Sequence, residues 1–125
     1  MEKLVKLEDK EIGFKCSAGT VRSYRMNFGR DLIIDIANVE KELFANKLLG
    51  IESAQCAEEI AYTMAKEYDP DLEPIEEWLD QFSPYFIYTV VSEIIYMWAE
   101  NIKTLNSTKK NSVKRKETHQ QPSSS

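Results

Sequence analysis

The hydrophobic pattern along this chain changes period once. From Lys3 to Leu7 polar and apolar residues alternate, with Leu4 and Leu7 bracketing Val5. They alternate again from Glu11 to Cys16, with Ile12, Phe14 and Cys16 on one face. A period of two is that of a strand. Glu8-Asp9-Lys10 is a polar turn between the runs, though it lacks the Asn-Gly or Asp-Gly of a tight hairpin. A hairpin over about residues 3–16 is predicted. A lone hairpin is marginal in water, so its apolar face should pack on the helices.

From Ser17 onward the pattern has the period of a helix. Ser17 suits an N-cap, with Thr20 three residues on. Ala18 to Phe28 carries Val21, Tyr24, Met26 and Phe28, and Gly29 suits the left-handed position that ends a helix. Asp31 can cap a second helix, on which Leu32, Ile36, Val39 and Leu43 form one apolar face until Gly50 stops it. Ser53 then caps a third, with Cys56, Ile60, Met64 and Tyr68 on its face and Ala57, Ala61 and Ala65 permitting close approach. Asp69-Pro70-Asp71-Leu72-Glu73-Pro74 breaks the chain. Pro74 sits in the first turn of a short helix carrying Ile75, Trp78, Leu79 and Phe82.

Ser83-Pro84 restarts the pattern as N-cap and first turn. Ile87, Val90, Val91, Ile94, Trp98, Ile102 and Leu105 line one side of the last helix. Tyr85, Phe86, Tyr88, Ile95, Tyr96 and Met97 spread around the rest. An apolar surface that wide is either sandwiched in the core or partly exposed for a partner. From Asn106 the chain is Asn, Ser, Thr, Lys and Gln with almost nothing to bury, which reads as disorder. The expected fold is mainly α: a compact bundle of about five helices with a short N-terminal β-hairpin and a disordered basic tail. Residues 1–105 make one domain and 106–125 the tail, as suits a chain of 125 residues with 42% hydrophobic content.

Little in this chain supports catalysis. The single histidine, His119, lies in the tail, where no base can be held within about 3 Å of a nucleophile. Gly13, Gly19, Gly29 and Gly50 are scattered and build no phosphate loop. Glu58/Glu59 and Glu76/Glu77 are neighbours in sequence, so on a helix they point apart rather than converge. Cys16 and Cys56 lack metal-ligand spacing. No secretory signal precedes them, so a reducing cytoplasm and free thiols are expected. The stretch from Tyr85 to Ala99 is interrupted by Glu93 and falls short of the ~20 apolar residues that a bilayer demands. A non-enzymatic protein without metal, cofactor or membrane span is the expectation.

Charge changes the picture further. Residues 1–30 carry seven bases and four acids (+3), residues 52–80 one base and ten acids (−9), and residues 106–125 five bases and one acid (+4). A bipolar surface suits docking to proteins or self-association. With 11 bases against 20 acids in residues 1–105, it is a poor nucleic-acid footprint. Arg22 and Arg25 share a helix face and could anchor an acidic partner. The aromatics Trp78, Phe82, Tyr96 and Trp98 read first as core and second as contact residues.

Thr20-Val21-Arg22-Ser23-Tyr24-Arg25-Met26-Asn27-Phe28-Gly29-Arg30-Asp31-Leu32 resembles the T-x-R-x-Y-R-x-x-F-G-R-D-L segment of tail assembly chaperones. These belong to siphophages and prophages of low-GC Gram-positive bacteria. The similarity continues through Ala61 to Lys66, through Pro74 to Phe82, and to Trp98 on a final helix before a Lys-rich end, covering about residues 10–105. The resemblance implies a protein of the host bacterial cytoplasm that binds the tape measure protein. It would keep that long helical chain soluble while tail tube subunits polymerise, and then leave before the virion is complete. In that family a frameshifted longer form contacts the tail tube protein. Lys109-Lys110 is compatible with such a slippery site, whereas Val113 to Ser125 aligns with no family motif. On this reading the partner-binding candidates are Arg22, Tyr24, Arg25, Phe28, Trp78, Phe82, Tyr96 and Trp98. The alternative is a small helix-turn-helix DNA-binding regulator built on residues 17–49.

Overall fold

The computed structural model describes residues 1–101. Strands β1 (Glu2–Leu7) and β2 (Lys10–Lys15) form an antiparallel hairpin, and Leu7 pairs with Lys10 across a two-residue turn. That turn places Glu8 at φ 49° and Asp9 at φ 70°, the left-handed pair a type I′ turn requires. The pairs Val5–Ile12 and Lys3–Phe14 put Val5, Leu7, Ile12 and Phe14 on one face, with Val5, Leu7 and Phe14 buried. Leu4 points the other way and stays exposed.

Five helices follow among the described residues: α1 (Ala18–Phe28), α2 (Leu32–Asn46), α3 (Ile51–Tyr68), α4 (Ile75–Asp80) and α5, residues 86–101. The fold is the mainly helical bundle with an N-terminal hairpin that the pattern predicts. Ile102, Leu105 and the proposed 106–125 tail lie outside the described residues.

The caps explain where α1 and α2 begin. Ser17 and Thr20 form a reciprocal capping box, and the Thr20 hydroxyl also donates to the Lys15 carbonyl at 3.0 Å, tying strand to helix. Gly29 ends α1 at φ 70°, where a Cβ would be strained. Asp31 accepts the Ile34 N–H at 3.0 Å and starts α2 only three residues after α1 ends.

The α2–α3 boundary departs from expectation. α2 ends at Lys47, at φ 66° with its N–H on the Leu43 carbonyl, rather than at Gly50. Gly50 is the extended N-cap of α3, and Ser53, the expected cap, lies inside the helix. The Glu42 carboxylate accepts the Gly50 N–H, so a side chain of α2 supplies what Ser53 was expected to supply. Pro74 likewise sits one position earlier, as the N-cap of α4.

α3 is the centre of the bundle. Ala57, Ile60, Ala61, Thr63, Met64 and Ala65 are buried and sweep an arc of about 200° at 3.6 residues per turn. β2, α1, α2 and α4 all pack on it, and the small alanines allow that approach. α5 buries Phe86, Ile87, Val90, Val91, Ile94, Met97 and Trp98, and the Trp98 indole N–H points at the Met64 sulfur at 3.2 Å. Tyr68 at the end of α3 lies over β2 where a Cβ on Gly13 would collide with its ring, which is why glycine interrupts the strand there.

A long-range tie joins the hairpin turn to the segment just before α5. Glu8 accepts both the Ser83 hydroxyl, at 2.6 Å, and the Ser83 N–H, at 2.8 Å. A glutamate at positive φ is unusual, and here its backbone brings the carboxylate onto Ser83. These two donors hold the Glu8 carboxyl below its ordinary value. A depressed folded pKa means a stabilising contribution present at neutral pH and lost as pH falls through that value. Glu8→Gln should therefore be less stable than wild type near pH ~7 and converge on it as pH falls, so that the acid limb of its stability-versus-pH curve is flatter. Identical acid limbs for both proteins would show that this contact carries no weight.

Candidate functional site

The segment that carries the family resemblance is a joint, not an open surface. Tyr24 is fully buried and donates its hydroxyl proton to Asp35 at 2.6 Å. Arg30 donates from Nε to the same carboxylate at 2.9 Å, from Nη2 to the Tyr24 hydroxyl at 2.9 Å, and to Glu59 on α3. Gln55 holds the other oxygen of Glu59 at 3.1 Å. The guanidinium also lies 5.4 Å from the Tyr24 ring centre and 6.0 Å from that of Phe28. Burial and then the Asp35 hydrogen bond push the Tyr24 phenol far above its usual range, so it stays protonated. The bond to Glu59, with smaller support from Asp35 and Tyr24, raises the Arg30 guanidinium still further. The network ties α1, α2 and α3 at one point, while Thr20, Gly29 and Asp31 set the caps beside it.

The sequence-predicted contact residues divide sharply. Arg22 and Arg25 are exposed on α1, and Phe28 and Phe82 are half-buried. Tyr96 is 54% exposed, with the Lys3 ammonium 5.0 Å from its ring centre. Tyr24, Trp78 and Trp98 are interior, at 0%, 1% and 4% exposure. These three are corrections to the expectation, because each is held by core partners. Trp78 meets Tyr62, Phe82 and Phe86 edge-on at 5.6, 5.2 and 5.5 Å. Most of the large apolar side chains from Trp78 to Trp98 are spent on the core. Exposed residues of the set are Arg22 and Arg25 on one helix and Tyr96 on another, so they make no single patch by themselves.

Sequence reasoning missed a second apolar face on α2. Leu32, Ile36, Val39 and half-buried Leu43 point inward. At about 100° per residue, Ile33, Ile34, Ala37, Phe44 and Ala45 fall on the opposite side of the same helix, with Lys41 among them. All six are exposed: Ile34 at 60% and Phe44 at 70%. Beyond the helix end Leu48 and Ile51 continue this exposure, at 65% and 88%. Glu40 flanks the outward face on one side and Glu42 on the other. A helix apolar on both faces is normally buried on both. Here one side has no cover among the described residues. The signal was legible as a helical wheel with apolar residues on opposite sides.

Among the described residues no three His, Cys, Asp or Glu side chains are grouped to hold a metal ion, and no helix is long and apolar enough to cross a membrane. The Cys16 and Cys56 thiols are both pushed up, chiefly by burial, which disfavours the reactive thiolate. Compared with protein-family models, curated proteins and solved structures, the chain matches none.

Proposed function

We propose that this protein is a phage tail assembly chaperone that holds the tape measure protein soluble in the host cytoplasm while the tail tube polymerises. The resemblance of Thr20–Leu32 and the later segments is what supports the family reading. The observation that carries the activity is the outward face of α2, where Ile33, Ile34, Ala37, Phe44 and Ala45 are exposed together on a well-capped helix. A client exposing long apolar helical stripes needs such a face, and acidic rims keep its holder soluble. The face belongs to a single helix, which suits a client that must later be released.

The same face weighs against the DNA-binding reading. α2 would stand in the position of a recognition helix, yet its outward side presents aliphatic and phenyl groups with Lys41 as its one base among the described residues. Reading base edges takes hydrogen-bonding side chains, and gripping phosphates takes more positive charge.

Co-expression with the tape measure protein of the same phage is the direct test. Tagged wild-type chain should retain the client in the soluble fraction, and purified virions should lack the chain. Failure to retain it, retardation of DNA at low salt, or stoichiometric presence in virions each sinks the proposal.

A further inference from the structure

We infer that the outward face of α2 receives one amphipathic helix of a partner, and that this helix carries a carboxylate at the middle of its apolar stripe and basic residues on its flanks. The inference deepens the holding function proposed for this chain and rests on it for the identity of the client.

Lys41 is the residue that defines the partner. It lies seven residues after Ile34 and seven before Leu48, with Ala37 and Phe44 between, so it stands mid-way along the exposed stripe. The neighbours on this face offer it no acid: Ile34, Ala37, Phe44 and Ala45 carry no charge. A helix laid along the stripe removes water from the foot of this ammonium group. Burial of a charge is tolerable only when the incoming surface supplies its counter-charge. The rims make the complementary demand. Glu40 stands on one flank and Glu42 on the other, so a partner with Lys or Arg on both edges gains at both.

This pattern argues against a second copy of the chain as occupant. Any pairing of α2 with α2 brings a second Lys41 into a seam whose apolar faces hold no acid. It also sets acidic rim against acidic rim whether the helices run parallel or antiparallel. Like charges so placed oppose association. The face is sticky toward a helix of the opposite charge pattern and guarded against itself.

The test titrates the full chain with model helices of roughly 18 residues, long enough to form a helix on docking. One peptide has a Leu/Ala stripe, a central Glu and Lys on both flanks. The second replaces the central Glu with Lys, and the third replaces the flanking Lys with Glu. The first should bind and shift the amide resonances of Ile33, Ile34, Ala37, Lys41 and Phe44. Each of the others should bind about tenfold more weakly or worse. Lys41→Glu should reverse the preference for the central residue. Because Lys41 and Phe44 are exposed, Lys41→Glu and Phe44→Ser should keep the wild-type melting temperature. Equal binding of all three peptides, shifts on another face, or a wild-type dimer whose interface protects α2 would overturn the inference. The co-expression experiment separates the two levels. If wild type retains the client and Phe44→Ser and Lys41→Glu retain it equally, the docking site is wrong while the holding function stands. If wild type retains nothing, the holding function falls and the peptide titration still decides the surface.

Discussion

Trp78→Ala should unfold this protein more readily than any other single truncation, lowering its stability by about 3–5 kcal/mol. Trp78 has the largest side chain among the fully buried residues. Its ring is the hub of an aromatic cluster that also holds Phe82 stacked on Phe86 at 4.0 Å and 13°. α4 has six residues, far too few to persist in water by its own hydrogen bonds. Its position therefore depends on its core side chains, chiefly Trp78, inserted beside Tyr62 of α3 and Phe86 of α5, with Leu79 packed beside it. Removing the indole leaves a cavity lined by three aromatic rings that cannot all close on it. A domain of this size has roughly 5–15 kcal/mol to lose, so the transition should move by about 10–20 °C. Trp78→Phe should recover much of the loss, since it keeps a ring in the cluster. Urea melts followed by circular dichroism measure both. A loss below about 1 kcal/mol for the alanine variant would show that the cluster is not what holds α4.

That cluster was legible in part. Ile75, Trp78, Leu79 and Phe82 stand at helical spacing after a Pro-rich break, which is enough to predict a short helix and a buried stripe. It is not enough to separate core from contact surface, because an aromatic at such a position serves either purpose. The choice is made by what arrives from elsewhere in the chain: Tyr62 from α3 and Phe86 from α5 close over Trp78. Trp98 is decided the same way by Met64, and Tyr24 by Asp35 and Arg30.

The caps of α1 and the start of α2 were legible to the residue, since Ser17, Gly29 and Asp31 act through neighbours three or four positions away. The hairpin's position was legible too, but its turn type was not. Glu8 and Asp9 take left-handed angles without the Gly or Asn that would advertise them, and the contact that uses Glu8 comes from Ser83, 75 residues on. The α2–α3 boundary failed for a related reason. Glycine can end a helix or begin one, and which it does here is set by Glu42 reaching its N–H. The outward face of α2 is a different case. Its residues were adjacent in the wheel and nothing distant was needed to see them. Finding one satisfied stripe at Leu32, Ile36, Val39 and Leu43 left the other side unasked.

In the joint of α1, α2 and α3, the residues from Thr20 to Leu32 carry fold. Thr20 and Asp31 cap helices, Gly29 turns the chain, Tyr24 and Leu32 fill the core, and Arg30 forks between two carboxylates. The joint and the exposed apolar stripe thus sit on different faces of α2, the one packed on α1 and α3 and the other open among the described residues.

Arg30→Met is the sharpest test of that joint, with an expected loss of about 2–3 kcal/mol. Removing one partner from a fully buried ion pair costs about 3–5 kcal/mol. The figure is reduced here because the Arg30 side chain is 36% exposed and water screens it. Its two acceptors are more deeply set, Asp35 at 13% and Glu59 at 12% side-chain exposure, so the variant strands two carboxylates close to the same spot. Arg30→Lys should fail to rescue. A single ammonium cannot reproduce Nε on Asp35 together with Nη2 on both Tyr24 and Glu59. Urea denaturation of wild type, Arg30→Met and Arg30→Lys reads this directly. A methionine variant within about 0.5 kcal/mol of wild type, or a lysine variant as stable as wild type, would mean that Arg30 contributes packing or general charge and that the fork between α2 and α3 is not what fixes the angle of the joint.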